Sequence, residues 1–337
     1  MIVNQLDSIT FRLKEKQDFT WLKRYGTAFW AVDETGSGCV CIGMQDADRK
    51  LFCKIAGVNT LEADVTPAES VALLKNAVHL YETLAHPHLI QLVEAYEYSQ
   101  FYVAVFEWAE GECLFDHWNF EAYQQNPELQ SPRDRFKALP ASLKLQAVET
   151  LFSFLLHVHQ QGYVAVDFYD GSLMYDFATN TTTICDIDLF RKGPVINDAG
   201  ADWFGTKRLK APEEYALGSP IDEQTNVFTL GALIFEFFGT YSDADIRQRY
   251  EHSRFLPCAL AGWQLSQASY QVAAKAVSPE KADRYPTIAA FWQNWKRAQQ
   301  PHLHHPAARS IIGQNTIANK AFIQKGGLFH ATEKLCL

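Results

Sequence analysis

Tyr163-Val164-Ala165-Val166-Asp167-Phe168-Tyr169-Asp170-Gly171-Ser172-Leu173-Met174-Tyr175, followed shortly by Ile184-Cys185-Asp186-Ile187-Asp188, is the stretch on which the reading of this chain turns. The runs around Leu173-Met174-Tyr175 and Thr182-Thr183-Ile184-Cys185 are short and rich in apolar and β-branched residues, as two strands would be. Taken singly, Asp167 is a turn or cap residue and Asp186 an acid at a strand end.

Outward from this stretch the chain changes character. On its N-terminal side, Ala28-Phe29-Trp30-Ala31-Val32, Cys39-Val40-Cys41-Ile42-Gly43-Met44 and Lys50-Leu51-Phe52-Cys53-Lys54-Ile55 are apolar runs separated by turn residues, which predicts strands over 29–56. Pro67 suits a first helical turn, and Val71, Leu74, Val78 and Tyr81 recur at helical spacing, which predicts a helix over 67–85 ended by His86-Pro87. Strands are expected at 89–93 and 101–106. A long amphipathic helix follows at 142–160, with Leu145, Val148, Leu151, Phe152 and Leu155 on one side. Residues 213–297 read as mostly helical. A strand-rich third ahead of a helix-rich remainder predicts two lobes with a ligand cleft between them. Residues 298–337 carry His302, His304, His305 and little apolar periodicity, and read as a loosely ordered tail.

The quoted stretch resembles the protein-kinase family. That family's catalytic loop reads H-R-D-x-x-x-x-N, and a second Asp follows in D-F-G. Here Ala165-Val166-Asp167 stands at the first motif with Ser172 at its Asn, and Asp186-Ile187-Asp188 stands at the second. The likeness runs on in order: Leu51-Phe52-Cys53-Lys54 for V-A-I-K, Leu84-Ala85-His86-Pro87-His88-Leu89-Ile90 for the end of the N-lobe helix, and Phe106-Glu107-Trp108 for the hinge. Gly205-Thr206 and Ala211-Pro212-Glu213 match the end of the activation segment, Asn226-Val227-Phe228-Thr229-Leu230-Gly231 the buried central helix, and Asp283-Arg284-Tyr285-Pro286-Thr287 the late Arg motif. The resemblance covers roughly residues 20–297.

It implies an α+β, two-lobed protein-kinase-like fold: a small antiparallel β-sheet N-lobe with one helix at about 20–106, and a larger, mainly helical C-lobe at about 112–297, preceded by an extension at 1–19. It implies ATP and Mg²⁺ as cofactors and a serine/threonine-type phosphotransferase, with a protein substrate left unnamed. Lys54 would meet the α- and β-phosphates, Asp167 would orient and deprotonate the acceptor hydroxyl, and Asp186 would bind Mg²⁺. Ser172 would offer a hydroxyl to Mg²⁺ or to a phosphate. Gly38, Val40, Glu107, Trp108 and Ala109 would line the nucleotide. Glu213 and Arg284 would form a structural ion pair.

The pattern also departs from the family. The three glycine positions of the phosphate-covering loop fall on Asp33, Thr35 and Gly38, and an acid at 33 would repel phosphate. The helix acid that should pair with Lys54 falls on Ala77, with Glu69 and Glu82 on other faces. Val166 replaces the Arg that receives an activation-loop phosphate, and Tyr169 replaces a Lys. Asp188 replaces the Gly of D-F-G, where it would bind metal or stiffen the loop. Asn226 replaces the buried Asp of the central helix. These changes keep two rival readings alive: a pseudokinase that scaffolds or senses nucleotide, and a kinase-fold enzyme acting on a small molecule.

The bulk properties agree with a globular chain. Of 337 residues, 47% are hydrophobic and 20% charged, enough for a core. A net charge of −9 argues against a nucleic-acid-binding surface. Seven scattered cysteines show no zinc-ligand spacing and fit reduced thiols in a cytoplasmic protein. No basic-then-apolar leader opens the sequence, and Val227–Phe235 is too short to span a bilayer, so no membrane partner is expected.

Overall fold

Tight turns set the architecture of the first hundred residues. In a computed structural model, which describes residues 1–115, 119–126, 128–251 and 254–300, three two-residue connections each place their first residue at positive φ: Asp7 at 51°, Ala47 at 45° and Ser99 at 55°. Turns of this hand match strand twist and fix hairpin register. They join β1 (Ile2–Leu6) to β2 (Ile9–Leu13), β4 (Val40–Asp46) to β5 (Arg49–Ala56), and β6 (Leu92–Tyr98) to β7 (Phe101–Glu107). With β3 (Thr27–Val32) these give an antiparallel five-stranded sheet of order β3-β4-β5-β7-β6 beside the β1–β2 hairpin. The strand expected at 89–93 runs instead over Leu92–Tyr98, an edge strand that tolerates Glu94 and Glu97 within it. Leu89 instead bridges to Ile184, and the Ile90 N–H donates to Ile184 O at 2.8 Å.

The two sheet faces bury different things. Val40, Ile42, Met44, Leu51, Cys53, Ile55, Val103 and Val105 pack with Leu6, Phe11, Leu13, Phe19 and Leu22. Residues 1–19, expected as an extension ahead of the domain, are therefore part of its core. The other face takes α1 (Pro67–Thr83), through Leu74, Ala77, Val78 and Tyr81. Thr66 and Glu69 close a capping box at its start, and Pro67 occupies the first turn. This box also accounts for Glu69, which faces Thr66 rather than the sheet.

The remainder is mainly helical. β8 (Glu112–Cys113), α2 (Phe120–Gln125), α3 (Pro132–Ala138) and α4 (Ala141–Gln160) lead to the short pieces β9 (Tyr163–Val164), β10 (Leu173–Asp176), β11 (Thr181–Ile184), β12 (Arg191–Lys192), β13 (Val195–Ile196) and β14 (Pro220–Ile221). Then come α5 (Glu223–Phe238), α6 (Asp243–Glu251), α7 (Gln267–Ala276) and α8 (Ile288–Gln299). Asp222 caps α5, and every residue from Thr225 to Phe238 is buried. A helix apolar on all sides needs neighbours on all sides, and α3, α4, α7 and α8 supply them. Residues from 301 on, which include most of the expected tail, lie outside the described residues. Among the described residues no helix is long and apolar enough to cross a membrane.

Glu213 and Arg284 meet as the resemblance implied. Arg284 Nη1 and Nη2 donate to the two carboxylate oxygens at 2.7 and 2.9 Å, and its Nε donates to Ser278 O at 2.7 Å. The Arg284 side chain is fully buried. Removing one partner strands the other charge in the interior, so Arg284→Ala is expected to lower unfolding free energy by about 3–5 kcal/mol. Urea unfolding followed by circular dichroism measures it, and a loss below about 1 kcal/mol would make the pair a surface-like contact.

Candidate active site

Strand alternation decides which side chains of β5 can reach the acids. Lys54 pairs with Cys41 on one side and Ala104 on the other, which puts all three on the face toward α1. Val40 pairs with Ile55 on the opposite face and is buried there among Ile42, Cys53 and Val103. The expectation that Val40 lines a nucleotide is therefore corrected: a period of two turns it away, and Cys41 occupies the Lys54 face.

Lys54 is 9% exposed, and its Nζ lies 2.5 Å from Asp188 Oδ2. The Tyr81 hydroxyl, from α1, lies 3.0 Å from Asp188 Oδ1 and 2.7 Å from Cys185 O. So α1 provides a phenol where the resemblance implied an acid, and the acid comes from Asp188. Ala77 at the implied position is simply core. Burial works against the charge on Lys54, but Asp188 and then Asp186 more than offset it, and the ammonium is held above its usual pKa. Burial and Asp188 push Asp186 up to about 6, while Lys54 pulls the other way.

Asp167 sits on a strained backbone, at φ 56°. A non-glycine residue in this region needs surroundings that enforce it. Asn226 from α5 does so: its Oδ1 accepts from Ala165 N at 2.8 Å and its Nδ2 donates to Ala165 O at 2.7 Å. The amide serves both the N–H and the C=O of Ala165, which a carboxylate, an acceptor only, would not. Burial raises the Asp167 pKa, and Asp186 and Glu214 add to it, against Lys210 and a backbone hydrogen bond from Thr206. Burial likewise lifts Glu214 to about 7.

Ser172 closes a tight turn, Asp170–Ser172, behind Asp167. It is fully buried, with its Oγ 3.5 Å from Tyr169 N, so its hydroxyl faces its own loop. Gly171 makes room for Tyr169: a Cβ there would lie 2.3–2.5 Å from the phenol ring. Among the described residues no three His, Cys, Asp or Glu side chains gather in metal-holding geometry. The chemistry of the cluster nevertheless suits a hard cation. Lys54 pairs with Asp188 and favours the charged form of Asp186, Lys210 acts on Asp167, and Asp167 and Asp186 are still both pushed toward their protonated forms. A divalent cation would relieve that excess of acid.

The loop between β3 and β4 is closed on itself. The Gly38 N–H donates to Thr35 O at 3.3 Å, and the Cys39 N–H to Thr35 Oγ1 at 3.1 Å. Gly38 has φ 72° and packs against Ser70 of α1. Asp33 does not stand as a bare acid: Arg12, from the β1–β2 hairpin, donates to it through its backbone N–H and pairs its guanidinium with Glu34. Of the residues that the resemblance placed at a hinge, Glu107 pairs with Arg49 at 2.5 Å, and Trp108 N–H donates to Lys50 O at 3.1 Å. Glu107 and Trp108 line a surface groove of about 530 Å³ whose lining includes none of Lys54, Asp167 and Asp186. Ala109 is half-buried against the main core.

Sequence reading missed three participants. Asp188 as the counter-ion of Lys54 and Arg12 as that of Asp33 are separated from their partners by 134 and 21 residues. No local pattern reports such pairs. Phe52 was quoted only as part of a motif, yet it shares Lys54's face and sits 6.0 Å from Phe106 and 6.1 Å from Trp30, forming an aromatic row on that face of the sheet. No model of a known protein family matches the chain, and no curated protein matches it significantly.

The Asp186 shift carries a stability signature. Its folded pKa, about 6, lies above its usual 3.8, so the folded state holds the proton more tightly than the unfolded chain. Stability from this group is full below pH ~4 and falls as pH rises through ~6. Asp186→Asn is expected to be more stable than wild type by on the order of 2 kcal/mol at pH 8, with the gap narrowing toward pH 4. Urea unfolding at the two pH values checks this; a variant less stable at pH 8 would contradict it.

Proposed function

We propose that the chain has the two-lobed protein-kinase-like fold and is an ATP- and Mg²⁺-dependent phosphotransferase of the serine/threonine protein-kinase type, working in the cytoplasm. The supporting observation is one of convergence. Motif resemblance alone singles out Lys54, Asp167 and Asp186, which lie on three separate segments. Electrostatic coupling links Lys54 to Asp186 and Asp186 to Asp167. A buried cation beside under-neutralised carboxylates is what a polyanionic substrate and its metal require.

In this reading Asp186 would hold Mg²⁺, which would supply charge neutralisation for the transferring phosphoryl group. Asp188 orients Lys54 toward the phosphates, and Tyr81 orients Asp188. Asp167, raised in pKa by burial and its acidic neighbours, accepts the proton of the attacking hydroxyl. Asn226 fixes the backbone from which Asp167 projects. Ser172 holds the shape of the loop through Tyr169.

A specific observation favours the scaffold reading as the alternative. The loop 33–39 spends the N–H groups of Gly38 and Cys39 on Thr35, and the hinge spends that of Trp108 on Lys50. Those are groups a nucleotide would otherwise recruit.

Thermal melting of the protein alone, with Mg²⁺, and with Mg²⁺ plus ATP separates the two. Ligand at 100 times its Kd stabilises by ~2.7 kcal/mol, or about 2–4 °C for a chain of this size. The expected result is a shift that needs Mg²⁺ and disappears in Asp186→Asn, together with phosphate transfer lost in Asp167→Asn at unchanged ATP binding. No shift at millimolar ATP would overturn the enzyme reading in favour of the scaffold.

A further inference from the structure

Val166 leaves the loop that carries Asp167 without the arginine that would receive a phosphate from the segment ahead of Ala211-Pro212-Glu213. The structure supplies a different tie. Arg208, in that segment, is 8% exposed and pairs its guanidinium with Asp170, which is 2% exposed and lies three residues beyond Asp167. The Arg208 guanidinium also lies over the Phe115 ring at 4.4 Å, and Phe115 meets Tyr169 of the same loop edge-on at 6.0 Å. Two residues before Arg208, the Thr206 backbone lies where it favours the charged form of Asp167.

The anchor beneath Arg208 is equally buried. Glu236, on α5, lies 4.0 Å from Arg208 Nη1 and 2.8 Å from Arg249 Nη2, and pairs with Arg133 from α3. Arg249 also donates to Arg208 O at 2.9 Å, so both the side chain and the backbone of Arg208 are held. Burial would raise the Glu236 pKa, but Arg133, Arg249 and Arg208 override it and hold the carboxyl at about 2. Glu236 therefore stays charged across the physiological range. The ion pairs of this network join arginines to Asp170 and Glu236, and the Arg249 guanidinium also lies over the Tyr241 ring at 4.5 Å.

We propose that Arg208 is the positioning residue that locks segment 205–213 to the Asp167 loop, so that the site assembles without covalent modification of that segment. For its link to catalysis this rests on the phosphotransferase reading; the mechanical coupling stands apart from it. Amide hydrogen exchange on the full chain, with wild type, Asp170→Asn and the milder Arg208→Lys, reads the coupling. Peptides covering 165–172 and 205–213 are compared with 227–235 as an internal reference.

Asp170→Asn is expected to speed exchange at least tenfold in both segments together, with the reference within twofold. Arg208→Lys keeps the charge but loses the fork geometry, and is expected to give a smaller, still joint, loosening; it decides the matter if Asp170→Asn does not fold. Phosphatase-treated wild type is expected to retain full protection in both segments. Loosening confined to the mutated segment, or protection lost on phosphatase treatment and restored with phosphate, would overturn the proposal. In parallel, Mg·ATP hydrolysis by Arg208→Lys is expected to fall about tenfold in kcat with Mg·ATP affinity within twofold. Joint loosening in the variants, with a wild type that neither binds nor hydrolyses Mg·ATP, would remove the enzyme reading and leave the lock standing.

Discussion

A lysine with nine-tenths of its surface buried must keep a counter-charge beside it or lose its own proton. In this chain Lys54 keeps Asp188, 2.5 Å away, and much else follows from that pair. Lys54 comes from the middle of the sheet and Asp188 from the turn after β11, so the pair stitches the strand-rich part to the helical part. Tyr81 brings α1 to the same carboxylate, and the Leu89–Ile184 bridge holds the exit of α1 beside it. The turn that carries Asp188 is the turn that carries Asp186, two residues earlier. Fixing one therefore fixes the other against Asp167.

The price of this arrangement is an excess of acid. Asp167 and Asp186 are both raised in pKa, chiefly by burial, and Asp167 holds a left-handed backbone besides. The surroundings are built to carry that strain. Asn226 brackets Ala165 from a helix buried on every side, and Gly171 leaves the space that Tyr169 fills. Local rules fail most visibly where the acids meet, which is where function is expected to concentrate.

Much of the frame was legible in the sequence because it is local. Turn residues between apolar runs located β3, β4 and β5; Pro67 and a periodic apolar face located α1; an unbroken apolar run located α5. The Glu213–Arg284 pair was legible only through the family resemblance, since 71 residues separate its members. What the sequence hid were choices settled by packing. Val40 and Cys41 are both apolar and adjacent, and only the cross-strand register tells which one shares a face with Lys54. Leu6, Phe11 and Leu13 look sparse in a stretch of polar residues, yet they line one face of a hairpin. Asp188 read as an intruder at a glycine position until its partner was seen.

The central claim is that Asp188 serves Lys54 as the acid that α1 lacks, and a double-mutant cycle on the two side chains tests it most directly. Lys54→Met, Asp188→Asn and the double variant are each unfolded in urea at pH 7. Close, part-buried pairs couple by about 0.5–3 kcal/mol, and this account predicts a coupling near the upper end, with the double variant more stable than Asp188→Asn alone because no unpaired ammonium remains buried. Additive effects, with the double variant the least stable of the three, would contradict it.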